Sequence, residues 1–144
     1  MAGRTQAVYY RDKAGNEPVN AFLNELTAID PRAAAKIDDY IEEYLNGKDP
    51  SAPPPEHPIS SQVEGELREL RVRFAKTRYR VLYRRSGQLV VLLHIVEKNT
   101  DKLPARDREL AGQRFTDFKV RMDAERRIPP RAAGRDAPGT TRER

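Results

Sequence analysis

Cysteine is missing from the 144-residue chain, and its absence removes three possibilities at once. No disulfide framework, no thiolate metal site and no cysteine nucleophile can exist. Histidine is scarce, at two residues, and neither His57 nor His94 has carboxylates at a matched spacing, so no metal site is expected. No glycine-rich phosphate loop occurs, which argues against nucleoside-triphosphate chemistry and leaves no cofactor to expect. The longest apolar run, Leu89 to Leu93, is far short of the ~20 residues that a bilayer span needs. The first residues lack the apolar stretch of a secretory leader. The expectation is a cytoplasmic protein without membrane contact.

The pattern that is present is that of one small domain with a tail. Ala7 to Arg11 is rich in strand formers, and the turn-like run Asp12 to Asn16 follows. Asn16 is a candidate helix cap with Pro18 in the first turn. Val19, Phe22, Leu23 and Leu26 then recur at helical spacing. Asp30-Pro31 starts a second helix, with Ile37, Tyr40, Ile41, Tyr44 and Leu45 as its stripe and Gly47 as its terminator. A proline-rich loop covers Lys48 to Pro58. Leu67–Phe74 and Thr77–Arg85 alternate as strands, and Ser86-Gly87 marks a tight turn. Leu89–Val96 is apolar on both faces, as in a central strand. A last helix opens after Pro104, with Ala111, Phe115, Phe118 and Met122 on one stripe. The order predicts an α+β domain over residues 1–124, with the helices on one face of a small antiparallel sheet. Residues 125–144, basic and poor in large apolar side chains, read as a disordered tail.

Charge is concentrated in one place. Between Gln62 and Arg85 eight basic residues face three acids, an excess of five that equals the net charge of the whole chain, +5. Alternation sets Glu69, Arg71, Arg73, Arg78 and Arg80 on the sheet face opposite Leu70, Val72, Tyr79, Val81 and Tyr83. The tyrosines are read as core, and the arginines as an open, solvent-facing surface. Two readings fit that face. Guanidinium groups suit bidentate phosphate contacts, and cross-strand Glu–Arg pairs suit a solvated sheet surface. If the face acts on RNA, Glu69 is the candidate base for a 2′-hydroxyl, with Arg71, Arg80 and Lys98 as cations for the phosphate. Arg73, Lys76, Arg78 and Arg84 are the candidate RNA-binding residues. An arginine is a poor acid because its pKa stays above ~12, so the residues assign no proton donor. His94 reads as a core histidine, and His57 as a loop residue.

The run Gly65-Glu-Leu-Arg-Glu-Leu-Arg71, then Arg78-Tyr-Arg-Val-Leu-Tyr83, then Leu92 to Thr100 and Pro104, resembles the RelE/ParE toxin superfamily. It is most similar to the phage-derived HigB-like branch. The opening Pro18-Val-x-x-Phe22-Leu also fits, so the resemblance spans roughly residues 7–120. It implies a RelE-like, microbial-RNase-type fold: a small twisted antiparallel sheet with an N-terminal helical hairpin and a C-terminal helix. It also implies a type II toxin that cleaves mRNA on the ribosome and is silenced by a helix-turn-helix antitoxin. By position, Arg71, Arg80 and Lys98 match basic residues of that pattern. Asn99 stands where a second lysine or arginine is usual, and Glu69 stands where the ribonuclease branch proper has lysine. Two alternatives share these residues: a ParE-like gyrase inhibitor, and a non-catalytic phage module that binds nucleic acid or protein.

Overall fold

The computed structural model describes residues 3–97, 102–124 and 128–137. The elements are β1 (Gln6–Tyr9), α1 (Pro18–Ile29), α2 (Pro31–Tyr44), β2 (Ser60–Glu64), β3 (Leu67–Phe74), β4 (Thr77–Ser86), β5 (Leu89–Glu97) and α3 (Ala105–Met122). They make an α+β fold around one sheet of order β1-β5-β4-β3-β2. The β2–β5 strands form the antiparallel meander, but β1 joins β5 in parallel, so the sheet is mixed. The α1–α2 hairpin stands between β1 and the rest of the sheet in sequence, and a parallel pairing needs a long connection of that kind.

Local sequence explains most element ends. The Asp30 side chain accepts from the Ala33 amide at 3.2 Å, capping α2 ahead of Pro31. Gly47, at φ +72°, follows the α2 C-terminus in the left-handed conformation that glycine adopts without strain. Asn16 is not a cap. Its amide and side chain bond to Asp12 instead, at 2.9 and 3.2 Å, and Glu17 holds the N-cap place without a side-chain bond.

Both faces of the sheet are covered, which corrects the expectation of helices on one side. Against α1 and α2 pack Leu70, Val72, Tyr79, Val81, Tyr83 and Leu92. Against α3 pack Val8, Leu82, Val91, Leu93 and Val96, with Phe115 and Phe118 reaching down. Strands apolar on both faces demand that second layer, and full burial of each phenylalanine is worth about 1.5–3 kcal/mol. A bulge in β5 makes the change of face possible: Tyr83 pairs with Leu92 but Leu82 with His94. The extra residue puts His94 and Val96 on the α3 side.

The tail expectation fails over residues 131–133. Tyr9 N–H donates to Arg131 O at 2.9 Å, Ala133 N–H donates to Ala7 O at 2.8 Å, and Val8 bridges Ala132 in antiparallel sense. Asn46 Nδ2 donates to Ala133 O at 2.9 Å while its Oδ1 accepts from the Ala7 amide at 2.6 Å. The segment pairs with the backbone of an edge strand, which needs no large apolar side chain, so composition alone could not reveal it. The strand β2 was likewise hidden: Val63 is its single large apolar residue.

Candidate functional site

Helix α3 contacts β5 and β4 but leaves the β2–β3 end of its face uncovered. Two cross-strand rows lie on that uncovered end. Ser61 pairs with Glu69, and Glu69 with Leu82; in the next row Arg71 pairs with Arg80, and Arg80 with Val96. The two rows floor an open cleft of about 490 Å³, walled by β2 and by Lys102, Leu103 and Arg108 at the entry to α3. Four cationic side chains (Arg71, Arg80, Lys102 and Arg108) and two carboxylates (Glu64 and Glu69) line it.

At its centre is Glu69, only 6% exposed. Ser61 Oγ donates to Glu69 Oε1 at 3.2 Å. Arg71 Nε stands 3.8 Å from the same oxygen, and Arg80 Nη1 stands 3.8 Å from Oε2. Oε2 is buried, and among the described residues no hydrogen-bond donor reaches it. Arg80 is 1% exposed, so the expected solvent-facing arginine is instead buried. Alternation gave its face correctly; in its row it stands between Arg71 and Val96. Arg71, with a side chain 25% exposed, is the arginine of the pair that reaches solvent.

The other expected residues divide. Arg73 and Lys76 are exposed and Arg78 is half-buried, all around the β3–β4 turn. Arg84 is drawn elsewhere. Its guanidinium lies 4.3 Å from the Phe115 ring centroid and pairs with Glu66 at 2.9 Å, which sets it against α3 and apart from the Glu69 cleft. Lys98 and Asn99 fall outside the described residues. Ser61, Lys102 and Arg108 escaped the sequence reading. A basic residue just before the Pro104 helix start was a usable signal for Lys102; nothing marked Ser61.

His94 belongs to a separate polar strut. Its Nε2 is 2.8 Å from Asp107 Oδ1 and its Nδ1 is 3.3 Å from Arg114 Nη1. Arginine can only donate, so Nδ1 accepts, Nε2 carries the hydrogen, and the ring is neutral. Burial holds its pKa below the ordinary histidine value, helped by the Arg114 charge and opposed by Asp107. Leu82 separates this strut from Glu69 in the cross-strand row, so the reading of His94 as a satisfied packing residue fits its position. No group of three or more potential metal ligands occurs among the described residues.

A family model described as "Phage derived protein Gp49-like (DUF891)" matches residues 24–116, from mid-α1 into α3, and takes in every described strand of the meander and the whole cleft. The chain belongs to the Gp49-like family. This is a phage-derived, toxin-like family, and the matched span contains Glu69, Arg71 and Arg80. No curated protein matches the chain. In this Gp49-like protein no described helix is long and apolar enough to cross a membrane.

Proposed function

We propose that this Gp49-like protein is the toxin of a type II toxin–antitoxin pair, of the RelE/HigB kind, and that it cleaves mRNA on the ribosome. The observation that carries the reading is the Glu69 carboxylate, held between Arg71 and Arg80 on the floor of a basic cleft. RNA cleavage by its own 2′-hydroxyl needs a base, a cation for the phosphate and a proton for the leaving oxygen. Glu69 takes the 2′-hydroxyl proton as the hydroxyl oxygen attacks the adjacent phosphorus. Arg71 meets the charge that builds on the phosphate oxygens. Arg80, too buried to grip a phosphate in full, positions Glu69 and adds its field from below. The 5′-oxygen leaves with a proton from Lys102, directly or through water, because an ammonium gives up a proton more readily than a guanidinium. The products are a 2′,3′-cyclic phosphate and a 5′-hydroxyl. Lys98 keeps its proposed cationic role from the resemblance alone. A cytoplasmic setting, the ribosome as platform and a helix-turn-helix antitoxin as silencing partner complete the proposal.

The test is primer extension on mRNA in a cell-free translation reaction, comparing the native chain with Glu69→Gln and Arg71→Ala. Ribosome-dependent cuts that fade at least ~100-fold in Glu69→Gln, the scale of a lost general base, support the reading. Intact message at a dose that arrests growth refutes it and moves attention to gyrase.

A further inference from the structure

Strand β2 carries a bulge. Ser61 stands opposite Glu69 and Glu64 opposite Leu67, with the register shift between Gln62 and Glu64. Regular alternation would send residues three apart, such as Ser61 and Glu64, to opposite faces. The extra residue of the bulge brings Glu64 back. Leu67 packs on the α3 side of the sheet, and Glu64, its cross-strand partner, lines the Glu69 cleft on that same side. Gly65, at φ +56°, then turns the chain into β3. A bulge beside a reactive site is a common means of re-aiming one side chain. The carboxylate so placed is exposed, and among the described residues it accepts no hydrogen bond and joins no ion pair. Cations suit the phosphates of a nucleic acid, and a free carboxylate repels them. Glu64 therefore needs another part of the ligand to meet.

We propose that Glu64 is the specificity-determining residue of the cleft and that it selects guanine, a reading that rests on the RNA-directed function above. An ionised carboxylate only accepts hydrogen bonds, and it offers two oxygens. Guanine is the RNA base that sets two donors side by side on its Watson–Crick edge, N1–H and the 2-amino group, and so satisfies both oxygens. Adenine and cytosine set one amino group beside a ring-nitrogen acceptor, and uracil sets its N3–H between two carbonyls. Each of these turns an acceptor toward the second oxygen. Bases splayed out of a single strand are read on that edge. The spacing agrees. Same-face residues of a strand stand about 7 Å apart and neighbouring strands about 4.8 Å, which puts Glu64 roughly 8 Å from Glu69 across the sheet. One nucleotide spans that distance from its phosphate to its base. With the scissile phosphate at Arg71 and Glu69, the base of a flanking nucleotide reaches Glu64.

The test is binding of the 5′-monophosphates of guanosine, inosine, adenosine and cytidine to the full chain, followed by amide chemical shifts. Inosine is guanosine without the 2-amino group, so that comparison isolates one donor. Guanosine monophosphate should bind about tenfold tighter than the other three, the scale of one hydrogen bond to a charged group, with shifts at Val63 and Glu64. Glu64→Ala, checked for native spectral dispersion, should bring all four within about twofold of one another. Equal affinities in the native chain, a guanosine preference that survives Glu64→Ala, or no binding of any of the four would each overturn guanine selection. The cleavage assay above reports on the other reading separately. Cuts flanked by guanine in the native chain and scattered in Glu64→Ala are expected. Native cuts without base bias remove guanine selection alone, and guanosine selectivity without any cuts removes the nuclease alone.

Discussion

Replacing Arg80 with alanine should unfold this protein long before it informs on activity. Arg80 and Glu69 are 1% and 6% exposed, with Nη1 3.8 Å from Oε2. At an effective dielectric near ~20 that separation corresponds to roughly 4 kcal/mol of gross attraction, most of it offset by desolvation of the two ions. Removing one partner strands the other, and breaking a buried pair in this way costs about 3–5 kcal/mol. For a domain of this size each kcal/mol lowers Tm by about 3–4 °C, so Arg80→Ala should melt roughly 9–20 °C early. Arg71→Ala removes a partly solvated partner and should cost less than about 1 kcal/mol. The assay is urea denaturation of the native chain, Arg71→Ala, Arg80→Ala, Arg80→Met, Glu69→Gln and the double variant Glu69→Gln/Arg80→Met. A buried ion pair replaced whole by neutral groups of similar shape is close to neutral, so the double variant should be more stable than the two single losses summed, by about 0.5–3 kcal/mol. An Arg80→Ala protein within about 1 kcal/mol of the native chain, or strictly additive losses, would refute the reasoning. Loss of toxicity in Arg80→Ala would then carry chemical meaning; as the structure stands, Arg71 is the arginine to mutate.

Three further outcomes are expected. Asn46→Ala leaves the buried Ala7 amide without its 2.6 Å acceptor and should cost about 1–3 kcal/mol. Gly134→Ala, at φ +113° with the Asn46 and Glu42 side chains against the new methyl, should free the strap as well, and trypsin cutting after Arg131 reads both. The neutral His94 ring sets a pH dependence. Its folded pKa lies below the ordinary histidine value, so the unfolded chain binds the proton more readily. That stability is present above pH ~6.5 and is lost as pH falls through the lower folded value. His94→Gln should flatten urea midpoints between pH 7 and 5; an unchanged slope refutes the assignment. Arg71→Ala should lower the salt dependence of RNA binding by about one counterion, and a parallel salt line would remove Arg71 from phosphate contact.

What was legible in the sequence follows from which interactions leave a periodic trace. The α1 and α2 stripes, the β3–β4 alternation and the Asp30-Pro31 helix start are local, and they fold as they read. The partition of Glu69, Arg71 and Arg80 to one sheet face was equally legible, because alternation needs no tertiary knowledge. Burial of Arg80 was not: alternation assigns a face and says nothing of how far a side chain on it is enclosed by its neighbours. Likewise the β5 bulge that turns His94 toward Asp107 is set by pairing register, which a run of valines and leucines leaves open. Strand β2 and the 131–133 strap are held by backbone hydrogen bonds along sheet edges. Such bonds are indifferent to side-chain identity, so Ser60–Glu64 and Arg131–Ala133 carry almost no signal.

The same geometry explains why the polar rows stand where they do. On the α3 side the sheet surface is apolar under the helix, at Leu82, Val91, Leu93 and Val96. It turns ionic at Glu69, Arg71 and Arg80, where helix cover ends. For stability alone, the buried Glu69–Arg80 pair is a poor choice, since a well-packed apolar pair at those positions would do as well or better. A solubility role is also unsuited to it, because neither charge meets water. What the pair does accomplish is to hold a carboxylate at a fixed place on the floor of a cationic cleft, with one oxygen bonded to Ser61 and the other against Arg80. If the chain cleaves RNA as proposed, that arrangement loses nothing to reorganisation when charge develops on the phosphate, and the boundary between core and cleft then has a chemical rather than a structural cause.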